Sequence, residues 1–347
     1  MSSTLGNIRR LVHWYRRRFA TGAVILLYHR IIDLPSDPYL LSVSPTNFAE
    51  HLAVLRNHAH PMSLRELMRQ LRNGKIPRRA VVLTFDDGYF DNFIFAKPLL
   101  EHYDTPATMF IAPGASQGAG EFWWDVLERI LLQTRSLPPS LRLIIGGVPH
   151  EWALGPAAEC GPDDDARYRS WNYGRKDDPT PRHAIFRSMH LLLKGVDEHE
   201  RRKVLQDLTA WACADASVHP SYRMLSARET VRLAEGGLVE VGAHTMTHPV
   251  LSKLSPAGQQ DEIRQSKLCL EEILGRPVSS FAYPHGLDSD FTLETMALVR
   301  EAGFDCACSA VPGIIHRGAS AYRLPRVAVR DEGGDQFAER LSGYFGG

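Results

Sequence analysis

This chain of 347 residues lacks long apolar runs, an excess of either charge and closely paired cysteines, and each absence excludes a class of protein or site. Its apolar runs are short, such as residues 24–28 and 80–85; none approaches the ~20 residues that span a bilayer, so we do not expect an integral membrane protein. Neither sign of charge is in excess, because 40 Lys and Arg residues balance 40 Asp and Glu residues. Nucleic-acid-binding proteins usually carry a basic surplus, so no nucleic-acid partner is expected. The five cysteines include no Cys-x-x-Cys pair, which argues against a disulfide framework or a cysteine-based zinc site.

The first 20 residues depart from this charge balance, since they carry five arginines and no acidic residue precedes Asp33. They lack the apolar core and the small-residue cleavage site of a secretory signal, so we expect a cytoplasmic protein. One interpretation is a solvated basic arm. The other is a peripheral membrane contact, in which this Arg-rich arm binds anionic lipid, because Leu11, Trp14 and Phe19 lie between the arginines.

Seven short segments that read as strands alternate with helical patterns in the first and last thirds of the chain. Several are near-continuous apolar runs, which is typical of strands buried on both faces of a parallel sheet. The strand candidates are residues 24–28, 80–85, 107–112, 238–243, 279–283, 304–309 and 322–329. This alternation predicts an α/β fold, either a barrel or a doubly wound sheet.

The alternation is interrupted between residues 113 and 224, which hold five of the six tryptophans. We interpret this stretch as a largely helical insertion. The predicted organisation is a basic arm at 1–20, a strand–helix body at 21–112 and 225–330, the Trp-rich insertion at 113–224, and a C-terminal tail or helix at 331–347.

Two adjacent carboxylates, Asp86 and Asp87, follow the second strand candidate, and Gly88 permits a tight turn after them. The carboxyl ends of parallel strands are where α/β folds build their sites. Adjacent carboxylates repel each other unless a cation neutralises one of them. A metal ion would do so, leaving one aspartate as ligand and the other as base. The alternative is an ordinary turn with two solvated aspartates.

Two histidines, His244 and His248, follow the strand candidate at 238–243. Their spacing predicts a helical turn with both imidazoles on one face, close enough to share one divalent ion. With Asp87 they make a two-His, one-carboxylate set, which is typical of a catalytic metal site. The alternative is a pair of polar loop histidines, since the chain has 15 histidines.

Two further motifs follow strand candidates. Residues 281–286 read Phe-Ala-Tyr-Pro-His-Gly, and the backbone N–H of Tyr283 can face a developing oxyanion. His29 ends the first strand candidate; alone, such a histidine is more often structural than catalytic. Because the ends of parallel strands share one rim of a barrel, we expect the four motifs to meet.

Three of these motifs resemble, in order, those of the polysaccharide deacetylases of the NodB-homology group, carbohydrate esterase family 4. They are Thr84-Phe-Asp-Asp-Gly88, His244-Thr-Met-Thr-His248 and Phe281-Ala-Tyr-Pro-His-Gly286. The resemblance covers roughly residues 20–112 and 225–330. It implies an irregular (β/α)7 barrel, which agrees with the seven strand candidates.

The resemblance also implies roles for individual residues. Asp86 would be the general base. Tyr283 and Pro284 would line the site, with the Tyr283 backbone N–H on the oxyanion. The ligands of a divalent metal ion, most often zinc, would be Asp87, His244 and His248.

Two departures from the family pattern suggest substitutes. An arginine that commonly holds the catalytic aspartate is replaced by Ala282, and Arg326 is our candidate to take its place. The usual C-terminal Leu-x-His motif, which supplies the general acid, is absent after residue 320. Some exopolysaccharide deacetylases carry that histidine near the N-terminus instead, so His29 becomes the candidate acid.

The resemblance implies a metal-dependent hydrolase that removes N-acetyl groups from an amino-sugar glycan. The substrate would be an N-acetylated glycan, or a lipid-linked or nucleotide-linked sugar precursor. The insertion's tryptophans either stack on sugar rings or form the insertion's own core, and we favour the core. Two alternative functions stay open: hydrolysis of a small non-sugar amide on the same barrel, and a catalytically silent carbohydrate-binding protein.

Overall fold

The structure is a computed structural model that describes residues 22–114, 120–161, 163–215 and 217–345. The basic arm predicted at residues 1–20 lies outside these residues, whereas every predicted site residue lies within them. Among the described residues, no helix has both the length and the apolar character needed to cross a membrane.

The strands are short and fall into a main parallel sheet and two small two-stranded sheets. They are β1 (Ala23–Tyr28), β2 (Arg30–Ile31), β3 (Ser42–Val43), β4 (His60–Pro61), β5 (Ala80–Phe85), β6 (Ala107–Ile111), β7 (Ser140–Ile145), β8 (Val148–Ala153), β9 (Val239–Ala243), β10 (Ser280–Ala282), β11 (Cys306–Cys308) and β12 (Val327–Ala328).

Helices follow most of the barrel strands and fill the insertion. They are α1 (Pro45–His58), α2 (Leu64–Arg72), α3 (Lys97–His102), α4 (Trp123–Glu128), α5 (Asp164–Tyr168), α6 (Pro181–Leu193), α7 (Glu198–Trp211), α8 (Ala227–Leu233), α9 (Pro256–Leu274), α10 (Leu293–Glu301) and α11 (Gly334–Phe345). Short π-helical segments lie at Asn92–Ala96 and Arg129–Gln133, and 3₁₀ turns lie at Gly155–Ala158, Pro220–Tyr222 and Leu251–Lys253.

The main sheet follows the order β11-β10-β9-β6-β5-β1-β12, with β4 on the edge of β5, and its strand pairs are parallel. From β1 to β11 the strands of this sheet are neighbours in the order in which they occur along the chain, and the last strand, β12, lies on the other side of β1. A doubly wound sheet would reverse its order at a switch point, and none is present along this path. Leu324, just before β12, forms a parallel bridge to Cys308 in β11, so the sheet curls back on itself. The predicted irregular barrel is therefore confirmed.

A strand of the main sheet lies within each of the seven predicted segments or overlaps it, although β11 and β12 are shorter than predicted. The six residues of β1 are buried, and so are the six of β5, as expected for strands covered on both faces. Side chains from both strands pack in the largest apolar cluster, together with those of α1 and α9. The C-terminal segment ends in α11, which packs on α1.

The insertion is largely helical, as predicted, but it also holds a pair of strands. It contains an antiparallel hairpin, β7–β8, turned by Gly146 and Gly147 with positive φ angles of 62° and 73°. Strand β7 buries alternate residues against α7, whereas β8 is exposed or half-buried. Two longer helices, α6 and α7, follow the hairpin in the chain. Trp123, Trp124 and Trp171 are buried in the insertion's own cluster, which supports the core interpretation.

Candidate active site

Most of the predicted site residues meet at one rim of the barrel because they directly follow a parallel strand, and the Arg326 side chain reaches the same rim to contact Asp86. Asp86 and Asp87 follow β5, and His244 and His248 follow β9. The loop at 283–286 follows β10, and His29 follows β1. Arg326 immediately precedes β12. This is the rim where barrel enzymes build their active sites.

Asp87, His244 and His248 form a buried cluster, each at most 6% exposed. The Asp87 Oδ1 atom lies 3.3 Å from Nε2 of His248 and 3.6 Å from Nε2 of His244. One candidate ligand atom from each residue lies within 4.8 Å of the others. Burial alone would raise the pKa of Asp87, but hydrogen bonds from both histidines hold it well below its usual value. The carboxylate is therefore ionised and faces two nitrogen atoms.

Backbone conformation and hydrogen bonding aim these three side chains at one point. His244 Nδ1 lies 2.8 Å from the Ala282 carbonyl oxygen, which leaves Nε2 free to face Asp87. Asp87 and His248 have positive φ angles of 76° and 61°. Such conformations are sparsely populated by non-glycine residues and tend to cluster at functional sites.

The two histidines lie on a loop, so the predicted helical turn is wrong. The loop has positive φ at Thr245 as well as at His248, and a helix cannot include such residues. Thr245 instead accepts a hydrogen bond from the His248 N–H at 3.1 Å. Glu262 of α9 accepts hydrogen bonds from the N–H groups of Met246 and Thr247, both at 2.8 Å. The loop brings the imidazoles to a centroid separation of 4.8 Å, the proximity that the spacing predicted.

This donor set fits a divalent metal ion. Two imidazole nitrogens and one carboxylate oxygen are the ligands of catalytic zinc sites, which keep a further position open. The hydrogen bond from Nδ1 of His244 to a carbonyl is also usual for a metal-bound histidine. Asp87, His244 and His248 are therefore the residues that would hold such an ion.

Asp86 differs from its neighbour because it faces an arginine. The Arg326 guanidinium contacts both Asp86 carboxylate oxygens, each at 2.6 Å, and its Nε donates to the Ser309 carbonyl at 2.8 Å. Burial would raise the pKa of Asp86, but Arg326 and His244 outweigh it, so the pKa lies below its usual value. Arg326, which is fully buried, thus lies where the missing motif arginine was expected to act.

His29 directly follows β1, at the same rim as the two aspartates, and is half-buried. Burial lowers its pKa, while the negative charges of Asp87 and Asp86 act in the opposite direction. The side-chain amide of Asn92 donates to the His29 carbonyl at 2.9 Å. Its place at the rim agrees with the predicted role, which stays a prediction.

Tyr283 does not supply the oxyanion N–H, which corrects the prediction. Its backbone N–H donates to the Cys308 carbonyl at 3.0 Å as part of the sheet. Its ring stacks on Phe291 at 4.0 Å, and its hydroxyl donates to the Tyr322 carbonyl. Tyr283 is therefore a packing residue. Pro284 is buried in the same loop, and its carbonyl accepts the Gly286 N–H at 2.6 Å.

The aromatic residues that lie beside the site were not predicted from the sequence. The ring of His285 lies 4.9 Å from that of His248, and Phe122 and Trp124 of the insertion lie 5.4 and 5.0 Å from it. His285 belongs to a recognised motif, so its spacing could have identified it. Nothing in the spacing of the insertion's tryptophans distinguishes Trp124 from the other four.

Comparison with known proteins finds sequence matches to part of the chain. Residues 208–307 match the polysaccharide deacetylase family model. An 88-residue stretch is 35% identical to the poly-beta-1,6-N-acetyl-D-glucosamine N-deacetylase of Escherichia coli K12. That stretch covers 25% of this chain and 13% of the relative, so the chain spans only a small part of that protein's length.

Two solved structures share the fold. The Streptococcus pyogenes deacetylase PplD, in complex with acetate, matches 92% of this chain and 98% of its own, with 17% identity and a TM-score of 0.57. IcaB from Ammonifex degensii matches 93% of this chain and 97% of its own, with 18% identity and a TM-score of 0.56. The matched family segment holds the His244–His248 loop, and the barrel supplies Asp86 and Asp87 from outside it. The resemblance predicted from the motifs is confirmed, in that residues 208–307 match the polysaccharide deacetylase family model and the barrel resembles solved deacetylase structures.

Proposed function

We propose that this protein is a metal-dependent N-deacetylase that removes acetyl groups from an N-acetylglucosamine-containing glycan. The observation that carries the proposal is that the two adjacent aspartates contact different partners. Asp87 faces His244 and His248 with one oxygen 3.3–3.6 Å from their Nε2 atoms. Asp86 is paired with Arg326 through both oxygens. One carboxylate is thus arranged as a ligand and the other as a base.

A divalent cation held there would supply Lewis-acid polarisation of the amide carbonyl and a more acidic water. Asp86 accepts a proton from the water that attacks the carbonyl carbon. Arg326 holds both Asp86 oxygens, so the carboxylate is ionised and fixed in orientation before the reaction starts. The C–N bond then breaks, and the acetyl carbon leaves as acetate.

The departing amine needs a proton, and we propose that His29 donates it. Tyr28 pairs with Phe85 across the parallel strands, which places His29 level with Asp86. It is also partly exposed, so it can exchange protons with solvent. A general acid at this place completes a reaction in which water adds across the amide bond.

The backbone donor for the oxyanion is best supplied by His285. In the loop at 283–286, the Tyr283 N–H is used by the sheet and the Gly286 N–H by the Pro284 carbonyl. Proline has no N–H, which leaves His285. Its positive φ of 59° turns this part of the loop, and its ring contacts His248. A preorganised N–H next to the cation site suits the charge that develops on the carbonyl oxygen.

The substrate class rests on the named relatives, which deacetylate poly-beta-1,6-N-acetyl-D-glucosamine. We propose an oligomer or polymer of N-acetylglucosamine for this chain. Lipid-linked and nucleotide-linked precursors, membrane contact through residues 1–20 and a cytoplasmic location remain proposals. Liposome sedimentation of the full chain and of a chain without residues 1–20 tests the membrane contact.

Acetate release tests the function. The protein is incubated with N-acetylglucosamine oligomers, a lipid-linked and a nucleotide-linked N-acetyl sugar, and simple non-sugar amides, each with zinc or with chelator. We expect acetate from the oligomers, its loss with chelator and its return with zinc. Release from the simple amides alone would favour the small-amide alternative. Binding of the oligomers without acetate release would favour the carbohydrate-binding alternative.

A further inference from the structure

His248 is the candidate metal ligand that lacks a hydrogen bond to orient it. His244 has its Nδ1 atom 2.8 Å from the Ala282 carbonyl. Nδ1 of His248 is buried and has no hydrogen-bond partner within the part of the chain that the structure describes. Metal-bound histidines almost always donate from the second ring nitrogen, which fixes the direction of the first. Something other than a hydrogen bond must therefore hold the His248 ring.

Aromatic rings enclose the His248 imidazole. Trp124 lies edge-to-face with it at 5.0 Å and Phe122 at 5.4 Å. His285 contacts it at 4.9 Å. Edge-to-face contacts at such distances are favourable and directional. Both Trp124 and Phe122 come from the insertion, so the insertion supplies part of the enclosure of a barrel residue.

Trp124 is itself held rigidly. Its ring stacks on Phe122 with a centroid distance of 4.2 Å and an interplanar angle of 10°. Its indole N–H donates to the Tyr89 hydroxyl at 2.9 Å. That hydroxyl donates to Asp125 Oδ2 at 2.8 Å. Rotation of the indole would break its bond to Tyr89 in a buried site, where an unpaired polar group is costly.

The Tyr89–Asp125 pair is built for position rather than for charge. Tyr89 is fully buried, and Asp125 is 3% exposed. Burial raises the pKa of Asp125 well above its usual value, which favours its protonated form. The Arg30 guanidinium lies 4.3 Å above the Tyr89 ring and binds Asp91. The Tyr89 ring is thus held by Arg30 of the barrel, and its hydroxyl by Trp124 and Asp125 of the insertion.

We propose that Trp124, locked by Tyr89 and Asp125, is a positioning residue that holds the His248 imidazole in its metal-binding orientation. The insertion then completes the metal site, because the packing of Trp124 against His248 takes the place of the hydrogen bond that His248 lacks. This inference rests on the proposed function, since it requires that His248 bind a metal ion.

The competing explanation is that Trp124 is only a core residue of the insertion. A core residue and a positioning residue both lower stability when altered, so stability alone does not separate them. Trp171 provides a matched control, because it is buried in the same cluster and its indole N–H also has a partner, the Asp177 carbonyl at 3.1 Å. It has no ring contact with His248 among the described residues.

The test compares Tyr89→Phe, Trp124→Phe and Trp171→Phe with the wild type. Tyr89→Phe is the gentler change, since it removes one hydroxyl and keeps the ring. Each protein is assayed for melting temperature, for zinc affinity by chelator competition, and for the visible absorption spectrum of its Co²⁺ form, which reports ligand geometry. We expect Tyr89→Phe and Trp124→Phe to weaken zinc binding by ~10–100-fold and to change the cobalt spectrum. Trp171→Phe should lower the melting temperature yet leave both readouts as in the wild type.

The outcomes separate this inference from the proposed function. Wild-type affinity and spectrum in both Tyr89→Phe and Trp124→Phe would overturn the inference alone. Equal losses in Trp171→Phe would also overturn it, because the effect would then follow the general stability of the insertion. A wild-type protein that binds neither zinc nor cobalt would overturn the proposed function itself.

Discussion

At the scale of single residues, the adjacent aspartates Asp86 and Asp87 differ in their chemistry because their side chains contact different partners. Asp86 directly follows β5 and contacts Arg326, whereas Asp87, with a positive φ of 76°, faces His244 and His248. Gly88 continues the turn with a φ of 84°, which glycine adopts at little cost. The same pair of side chains can therefore supply a ligand and a base.

His29 provides a prediction at this scale. The change His29→Gln keeps a polar side chain but removes the proton donor proposed for the leaving amine. We expect kcat to fall by ~10²–10⁴-fold, the usual contribution of a general acid, with the zinc content unchanged. Steady-state acetate release and elemental analysis measure the two quantities. Wild-type kcat in this variant would contradict the assignment, and a loss of zinc would make His29 a metal ligand instead.

Glu128 provides a second prediction, on stability. It is buried and accepts hydrogen bonds from Ser36 at 2.6 Å, Gln133 at 3.0 Å and Tyr222 at 3.2 Å. Burial raises its pKa from 4.5 to about 7. As the pH rises through this window, the unfolded chain ionises first, so the folded state loses stability, and the loss is complete above the folded-state pKa.

The change Glu128→Gln removes this ionisation. Relative to the variant, the wild type should lose about 3 kcal/mol of unfolding free energy between roughly pH 4 and pH 8. Urea unfolding of both proteins across that range measures the difference. A constant difference at every pH would show that Glu128 is not the titrating group.

At the scale of elements, a helix holds the loop that carries the metal ligands. Helix α9 begins after Ser255, whose side chain caps it by accepting the Gly258 N–H, and ends at Gly275 in the left-handed conformation. Its Glu262 accepts the N–H groups of Met246 and Thr247 and the Thr247 hydroxyl. The His244–His248 loop is thus fixed through its backbone by a separate element.

Removal of that contact should weaken metal binding. Glu262→Ala takes away three hydrogen bonds from the loop between the histidines, and we expect zinc affinity to fall by ~10–100-fold, as for other outer-shell partners. Glu272→Ala, at an exposed position of the same helix, is the matched control and should bind zinc as the wild type does. Equal affinity in the two variants would show that Glu262 does not orient the ligands.

At the scale of the whole molecule, the residue pattern predicted a parallel α/β body, the family resemblance predicted the barrel, and neither predicted the contacts of the insertion. Strands buried on both faces are visible as apolar runs, and the parallel rim brings their ends together, so Asp87 and His244 could be placed in one site. The pairing partner of a backbone N–H is not visible in its own strand, which is why the role expected of Tyr283 was wrong. Contact between Trp124 and His248 joins distant parts of the chain, and no local pattern encodes it.

The hairpin in the insertion is a different kind of miss. Leu141, Leu143 and Ile145 alternate with exposed residues, and two glycines follow them, which is the pattern of a strand and a tight hairpin turn. The signal was present but lay between helical stretches. The two strands have only six residues each, so their pattern is hard to distinguish from the helices that surround them.

The most direct test of the account compares Asp86→Asn with Asp87→Asn, measuring zinc content and acetate release on the same preparations. Asp86→Asn should keep wild-type zinc and lose ~10²–10⁴-fold in turnover, because only the base is removed. Asp87→Asn should lose both zinc and activity, because a ligand is removed. Wild-type turnover in Asp86→Asn, or wild-type zinc in Asp87→Asn, would contradict the division of roles on which the proposed deacetylase mechanism depends.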